Sequence, residues 1–229
     1  MSTPAIAAAV KGIISTARMG RYEAAMHTSA VPDVSALELY TWNAQVSAAL
    51  MAPLHICEVS IRNAVHEALE ATYGPRWPWD ANFERSLPSG TYYDPQRDLR
   101  TVRARQPTTG KVIPELKFAF WQKMYTRRHD VRLWNLQLPR LFPNLNYQLR
   151  PATLREHIYN DLEQIRELRN RVAHHEPIFL RNLTDDLAKI AGLVSARCAI
   201  TAAWLQTHQQ VSALIALKPA PVPQPPAMP

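Results

Sequence analysis

The chain has 229 residues, of which 47% are apolar and 20% are charged, and these proportions are ordinary for a soluble globular protein. No window approaches the roughly 18 uncharged apolar residues of a membrane span, and the N-terminal AIAAAV lacks the basic segment that precedes a signal-peptide core. The net charge of +7 favours anionic partners, above all nucleic acid. We therefore expect a cytoplasmic protein with no membrane partner.

The first third of the chain predicts two helical stretches separated by TSAVPD. An alanine-rich stretch favours helix up to about Met26, and a second apolar-periodic stretch runs from Val34 to Gly74. Pro53 predicts a kink or a split of the second stretch into two consecutive helices, and Gly74 is the predicted C-cap. Apolar residues at three-to-four spacing predict one apolar face on this stretch: Leu37, Tyr40, Ala44, Ala48 and Met51.

The middle of the chain, residues 80–110, is predicted to be an irregular insertion because LPSG, YYDP and RQPTTGK are turn clusters. Within it, RDLRTVRAR predicts a short helical segment that carries four arginines: Arg97, Arg100, Arg103 and Arg105. The next segment, IPELKFAFWQKMYT, predicts an amphipathic helix with Pro114 in its first turn.

The clearest helix of the sequence is TLREHIYNDLEQIRELRNRVAHH. Thr153 followed by Glu156 matches a capping box and predicts the helix start. Pro177 predicts that the helix ends around His175 or Glu176. The buried stripe is predicted from the apolar spacing: Leu154, Ile158, Leu162, Ile165, Leu168 and Val172.

The absence of alternating segments predicts an all-α protein. We predict an N-terminal helical extension over residues 1–30, a helical domain over 31–217 and a Pro-rich tail over 218–229. The tail, KPAPVPQPPAMP, has too many prolines for helix or sheet and is predicted to be disordered.

Polar chemistry is concentrated in LRNRVAHHEP at the end of the clearest helix. Residues four apart share a helix face, so Asn170 pairs with His174, and Arg171 pairs with His175. The side chain of Arg169 is long enough to swing toward the His174 side. Histidine transfers protons near neutrality, and arginine binds phosphate and stabilises growing negative charge. The side chains of Arg169, Asn170 and His174 are therefore suited to binding and reacting with a phosphodiester.

Two other interpretations of this segment remain open. Arginine and histidine in a last helical turn also cap carbonyl groups and complement the helix dipole. His174, His175 and Glu176 are possible metal ligands, but adjacent helical residues point about 100° apart and no His-x-x-x-His spacing occurs. We predict neither a metal site nor a cofactor.

The segment LRNRVAHHEP resembles the R-x(4–6)-H motif of the HEPN superfamily, with Arg169, Asn170 and His174 at the matching positions. The chain also resembles the Abi-like (abortive infection) branch of that superfamily. The resemblance runs from about Leu37 to Leu180 and rests on four segments in order: LYTWNAQVSAALMAPLHICEVSIRNAVHEAL, ELKFAFWQKMY, LWNLQLPRLFPN and IRELRNRVAHHEPIF.

This resemblance implies a helical bundle, frequently a homodimer, and a metal-independent endoribonuclease that acts as a toxin or phage-defence effector. His174 would be the general acid or base, Arg169 would stabilise the transition state and Asn170 would position either of them. His175 also fits the motif at one residue longer. RNA is the implied partner, and an antitoxin of protein or RNA is a further one. The alternative is a non-catalytic module of the same fold that binds RNA or a protein.

Other residues are candidates for supporting roles. Glu58 or Arg62, four apart in EVSIRNAVHEAL, would brace the catalytic helix from across the bundle, or would form a simple intrahelical ion pair. Arg171 belongs to the supporting set together with His175, with which it shares a helix face. Arg100 and Arg103 would guide an RNA strand by phosphate contact, with Tyr92 and Tyr93 near enough for stacking, or would form a solvated face.

Overall fold

Apolar residues at three-to-four spacing dominate this chain, and the computed structural model, which describes residues 3–26, 34–90 and 92–221, is helical accordingly. About 77% of the residues are helical, and the described residues contain no strand, which confirms the all-α prediction.

Twelve α-helices are formed by the described residues. In chain order they are α1 (Thr3–Ile14), α2 (Thr16–Ala25), α3 (Val34–Tyr73), α4 (Ala81–Ser86), α5 (Pro95–Arg103), α6 (Thr109–Glu115), α7 (Phe118–Lys123), α8 (Asn135–Leu141), α9 (Pro151–Ala173), α10 (Leu183–Arg197), α11 (Ala199–His208) and α12 (Val211–Ala216). Short 3₁₀ turns at Trp77–Trp79 and Arg127–His129 and a π turn at Asp130–Trp134 link some of them.

Helix α3 corrects the prediction of a split at Pro53, because it is one continuous helix of 40 residues. Leu50, Leu54 and Cys57 are buried on either side of the proline, and their packing holds the flanking turns in helical geometry despite the lost backbone donor. The prediction for the helix end is confirmed. Gly74 has a φ of 82°, and its N–H donates to the carbonyl of Glu70 at 2.8 Å.

Length and apolar composition also make α3 a helix that could cross a membrane, with a mean hydropathy of 1.3 over its most apolar window. The expectation that no window approaches a span therefore needs correction. This observation is weak on its own, because the core helix of a soluble protein passes the same test. A third of that window is buried against the protein, and Trp42, Val46 and Ile61 are among the buried residues of α3.

The mid-chain and N-terminal predictions also need correction. The short helical segment predicted for RDLRTVRAR is confirmed by α5. The rest of residues 80–110 is less irregular than predicted, because it also contains α4 and the start of α6. The alanine-rich start forms two helices, because Ser15 has a φ of 90° and caps α2 instead of continuing α1. Pro114 lies near the end of α6 instead of opening a helix, and α7 starts at Phe118. Residues 222–229, most of the predicted tail, lie outside the described residues.

The chain divides into two compact units. Unit 1 comprises residues 1–51, 171–184 and 209–229. In unit 1, the buried ring of Tyr22 lies 5.2 Å from the ring of Tyr40 and 5.0 Å from that of Phe179. Trp42 donates its indole N–H to the carbonyl of Leu214 at 2.6 Å, which ties α3 to α12.

Unit 2 comprises residues 52–170 and 185–208 and has an aromatic core. Trp77, Trp121 and Trp134 are almost fully buried. The rings of Trp77 and Trp121 lie 6.4 Å apart edge to face, and Trp134 stacks on Tyr125 at 4.4 Å. These contacts fix the loops and short helices that precede α9.

Unit 2 also buries an ion pair that the sequence did not indicate. Arg155, 7% exposed, donates through Nε to Oδ1 of Asp130 at 2.8 Å and through Nη2 to Oδ2 at 3.3 Å. Its Nη1 also donates to the carbonyl of Tyr125 at 3.4 Å. The bidentate geometry and the additional hydrogen bond compensate the cost of removing both charges from water.

Candidate active site at the end of helix α9

The candidate site depends on where α9 begins, what it buries and how it ends. The predicted capping box at Thr153 and Glu156 is wrong, because α9 begins at Pro151, three residues before the Leu154 start that a Thr153 N-cap implies. A missing backbone N–H carries no cost at the first helical position. The six residues of the predicted apolar stripe are all buried, at 0–7% exposure, so that prediction is confirmed. The polar residues between them are thereby held toward the surface.

The helix ends at Ala173, earlier than predicted, and His174 and His175 form a turn beyond it. His175 has a φ of 54°, its N–H donates to the carbonyl of Val172 at 3.1 Å, and the N–H of Glu176 donates to the carbonyl of Arg171 at 2.8 Å. This hydrogen-bond pair is the Schellman arrangement, in which a left-handed residue reverses the chain direction. The position usually holds glycine or asparagine, and here histidine takes it.

The turn gives the two histidines different surroundings. Both side chains are exposed. His175 lines a cavity of about 390 Å³ in unit 1, with Tyr40, Asn43 and Ser47 among the other lining residues. The predicted pairing of Arg171 with His175 on one helix face is wrong, because His175 has left the helix. His174 occupies the C-cap position, one residue after the last helical turn.

Four of the five residues of the apolar face predicted on α3, all except Leu37, line this same cavity. Ala44, Ala48 and Met51 are exposed, and Met51 retains 56% of its surface. The buried face in this part of α3 is a different one and consists of Leu39, Trp42, Val46 and Leu50. Most of the apolar stripe of the sequence therefore forms a wall of the cavity beside His175.

Two arginines of α2 lie beside the histidine turn, and neither was predicted as a site residue. Arg18 donates from Nη1 to the carbonyl of His175 at 2.5 Å. Arg18 and Arg21 line a second cavity of about 420 Å³, together with Glu176 and Pro177. Their three-residue spacing in TARMGRYE places both on one side of α2, which was the available signal.

Arg171, a predicted supporting residue, is held close to its own turn. Its Nη1 lies 3.4 Å from Oε2 of Glu176 and also 3.4 Å from the carbonyl of Pro177. It therefore fastens the chain after α9 and leaves part of its guanidinium on the surface, at 44% exposure.

In unit 2, Arg169 lies against Glu58 from α3, with 3.8 Å between Arg169 Nε and Glu58 Oε2. The Arg169 side chain remains 43% exposed, and Asn170 is partly exposed. Glu58 thus contacts Arg169 of α9, and a bracing role for Glu58 stays a prediction. Arg62 is placed differently, since its Nε is buried and has no hydrogen-bond partner among the described residues.

The basic segment of α5 makes structural contacts. Arg100 and Arg103 both bind the carboxylate of Glu84, and Arg103 also donates to the carbonyl of Pro78 at 2.7 Å. The two guanidiniums hold the pKa of Glu84 below its usual range even though burial acts in the opposite direction. Glu84 thereby neutralises part of the positive charge that would attract RNA phosphates. RNA guidance by α5 stays a prediction.

The two nearby tyrosines differ in their availability for stacking. Tyr92 is fully exposed, whereas Tyr93 is occupied by a 2.7 Å hydrogen bond from its hydroxyl to Asp98 Oδ2. Among the described residues, no group of three His, Cys, Asp or Glu side chains has the arrangement to hold a metal ion.

Comparison with known proteins adds no assignment: no protein-family model, no curated protein and no solved structure matches this chain.

Proposed function

We propose that this protein is a metal-independent endoribonuclease of the HEPN type, of the Abi-like branch, and that it acts as a toxin or phage-defence effector in the cytoplasm. RNA is its substrate, and a homodimer would bring two copies of the motif to one cleft. An antitoxin, protein or RNA, would hold it silent.

The reaction is an internal transesterification. The 2′-hydroxyl oxygen of RNA attacks its neighbouring phosphorus, the bond from phosphorus to the 5′-oxygen breaks, and the products are a 2′,3′-cyclic phosphate and a 5′-hydroxyl. His174 moves a proton from the 2′-oxygen or onto the 5′-oxygen. Arg169 stabilises the charge that develops on the phosphoryl oxygens, and Asn170 positions one of these two groups.

One observation carries this proposal: Arg169, Asn170 and His174 all reach solvent at the carboxyl end of α9. The Arg169 guanidinium has one carboxylate oxygen at 3.8 Å and a side chain that is 43% exposed, so it remains accessible to a phosphate.

Incubation of the protein with total cellular RNA in excess EDTA tests the proposal. We expect fragments with 2′,3′-cyclic phosphate and 5′-hydroxyl ends. His174→Ala should slow cleavage by about 10²–10⁴-fold, the range for a lost general acid or base. Arg169→Met should also slow cleavage, with the folded state retained. His157→Ala is the matched control, because His157 is an exposed histidine on the same helix.

Cleavage that requires an added divalent ion would contradict the metal-independent mechanism. Cleavage that survives His174→Ala and is lost in His175→Ala would move the catalytic role to the left-handed histidine. Wild-type protein that binds RNA without cutting it would instead identify a non-catalytic RNA-binding module of the same fold.

A further inference from the structure

A cavity of about 690 Å³ in unit 2 is formed by residues that the proposed ribonuclease does not use. It lies where the end of α3, helix α4 and the turns after α7 meet. Its basic residues are Arg85, Arg128 and Arg132, and all three are exposed. The seven described lining residues include no acidic side chain.

The three arginines of this cavity are held differently from the neighbouring arginines of α5. Arg85 donates from Nη2 to Oδ1 of Asn82 at 2.7 Å, and none of the three forms an ion pair among the described residues. On the same helix α4, Glu84 neutralises Arg100 and Arg103. The chain thus supplies a carboxylate to its structural arginines and leaves the cavity arginines without one.

Like charges gathered in one cavity repel each other, and a bound anion removes that cost. The positive charges of this cavity also affect the pKa of the neighbouring His129. Burial is the main reason why the pKa of His129 falls to about 4, and the charges of Arg128 and Arg132 lower it further. His129 is therefore neutral at pH 7, and the positive charge of the cavity comes from the three guanidiniums.

The remaining polar groups suit a ligand that carries hydroxyls beside its phosphates. Thr72 donates its hydroxyl proton to the carbonyl of Ala68 at 2.9 Å, and Ser86 donates to that of Phe83 at 2.6 Å. Both hydroxyl oxygens thus keep lone pairs that accept hydrogen bonds. The amide nitrogen of Asn82 is a donor, because its oxygen already accepts from Arg85.

The size of the cavity and the grouping of its charges identify the class of ligand. A volume of about 690 Å³ falls in the range of small-molecule sites, roughly 300–1,000 Å³, and exceeds what one phosphate fills. An RNA strand carries one charge per nucleotide along its length, whereas a triphosphate concentrates its charges in one place. We infer that this cavity binds a free nucleoside polyphosphate, held through its phosphates by Arg85, Arg128 and Arg132.

Isothermal titration at low salt with ATP and GTP tests this inference on the full chain. We expect binding of at least one nucleotide, no binding of adenosine or guanosine, and weaker binding of tripolyphosphate. Arg128→Gln/Arg132→Gln should weaken nucleotide binding at least tenfold and flatten its salt dependence. Arg105→Gln/Arg150→Gln is the matched control, because it removes two charges from exposed arginines outside the cavity.

Arg85→Gln alone provides a second test if the double variant misfolds, which circular dichroism would reveal. Failure of the wild type to bind ATP or GTP, or equal losses in the cavity and control variants, would overturn the inference. So would a 12-nucleotide RNA that depends on Arg128 and Arg132 while ATP does not bind. The inference is independent of RNA cleavage, because His174→Ala protein should bind the nucleotide as the wild type does.

Discussion

Arg155 and Arg169 lie on the same helix, α9, but their guanidinium groups have different surroundings. Arg155 is 7% exposed and makes three hydrogen bonds to Asp130 and Tyr125. The Arg169 side chain is 43% exposed and lies 3.8 Å from a single carboxylate oxygen of Glu58. A buried guanidinium needs partners to offset the cost of removing its charge from water, whereas an exposed one gains little from a surface ion pair. The difference separates an arginine that stabilises the protein from one that is available to a ligand.

The strongest test of this difference is the substitution Arg155→Met. Removing one partner of a buried ion pair leaves the Asp130 carboxylate without its counter-charge, so we expect a loss of about 3–5 kcal/mol in the free energy of unfolding. Arg169→Met should change it by no more than about 1 kcal/mol, because surface ion pairs contribute little. Chemical denaturation followed by circular dichroism measures both values.

The double variant Arg155→Met/Asp130→Leu serves as the control for this measurement. It replaces both charges with apolar groups and should recover much of the lost stability. Equal losses of unfolding free energy in Arg155→Met and Arg169→Met would contradict the proposed difference between the two arginines.

The second prediction concerns acid stability at His129, which precedes Asp130. Because its folded-state pKa is about 4 and the ordinary value is 6.5, the unfolded chain binds the proton first as the pH falls. The stabilisation from the neutral ring is present above pH 6.5 and is lost between 6.5 and 4, by about 3 kcal/mol in total.

Measurement of the free energy of unfolding at pH 7 and at pH 4 tests whether stability falls as the pH is lowered. His129→Gln cannot take up the proton, so its stability should fall less than that of the wild type over this range. His157→Gln, at an exposed position, should follow the wild type. A variant His129→Gln with the full acid sensitivity would show that the buried ring is not its source.

The smallest expected effect is at the exposed end of α9. His175 adopts a left-handed conformation that glycine adopts without steric cost, so His175→Gly should stabilise the protein by about 0.5–1 kcal/mol. Ala173→Gly is the matched control and should destabilise it by about 0.5–1 kcal/mol, since Ala173 is helical. Thermal unfolding measures both, and a loss of stability in His175→Gly would mean that its ring makes contacts that outweigh the strain.

The predictable parts of this fold are those that depend on local periodicity. The apolar spacing from Leu154 to Val172 can be recognised in the sequence without knowing which residues it packs against. The structure buries all six residues of this stripe. Gly74 was recognisable because glycine is the usual left-handed residue after a helix. The end of α9 was predicted too late because His175, and not a glycine, is the left-handed residue after this helix. The sequence therefore lacks the usual signal for a helix end there.

The parts that could not be predicted depend on partners distant in sequence. The carboxylate that holds Arg155 is 25 residues away, and those that hold Arg100 and Arg169 lie on other helices. An apolar face on α3 looks the same in sequence whether it meets a core or an open cavity, so Ala44 and Met51 could not be assigned. Pro53 stays within a helix because of buried neighbours that the local pattern does not contain.

The distribution of indole rings has a practical consequence for spectroscopy. Five of the six tryptophans belong to unit 2, and Trp77, Trp121 and Trp134 are shielded from water. Intrinsic fluorescence of the native protein should therefore be dominated by short-wavelength emission from this core, with Trp204 adding a solvent-quenchable component. Iodide quenching separates the two populations, so melting of the aromatic core can be followed in the unlabelled chain.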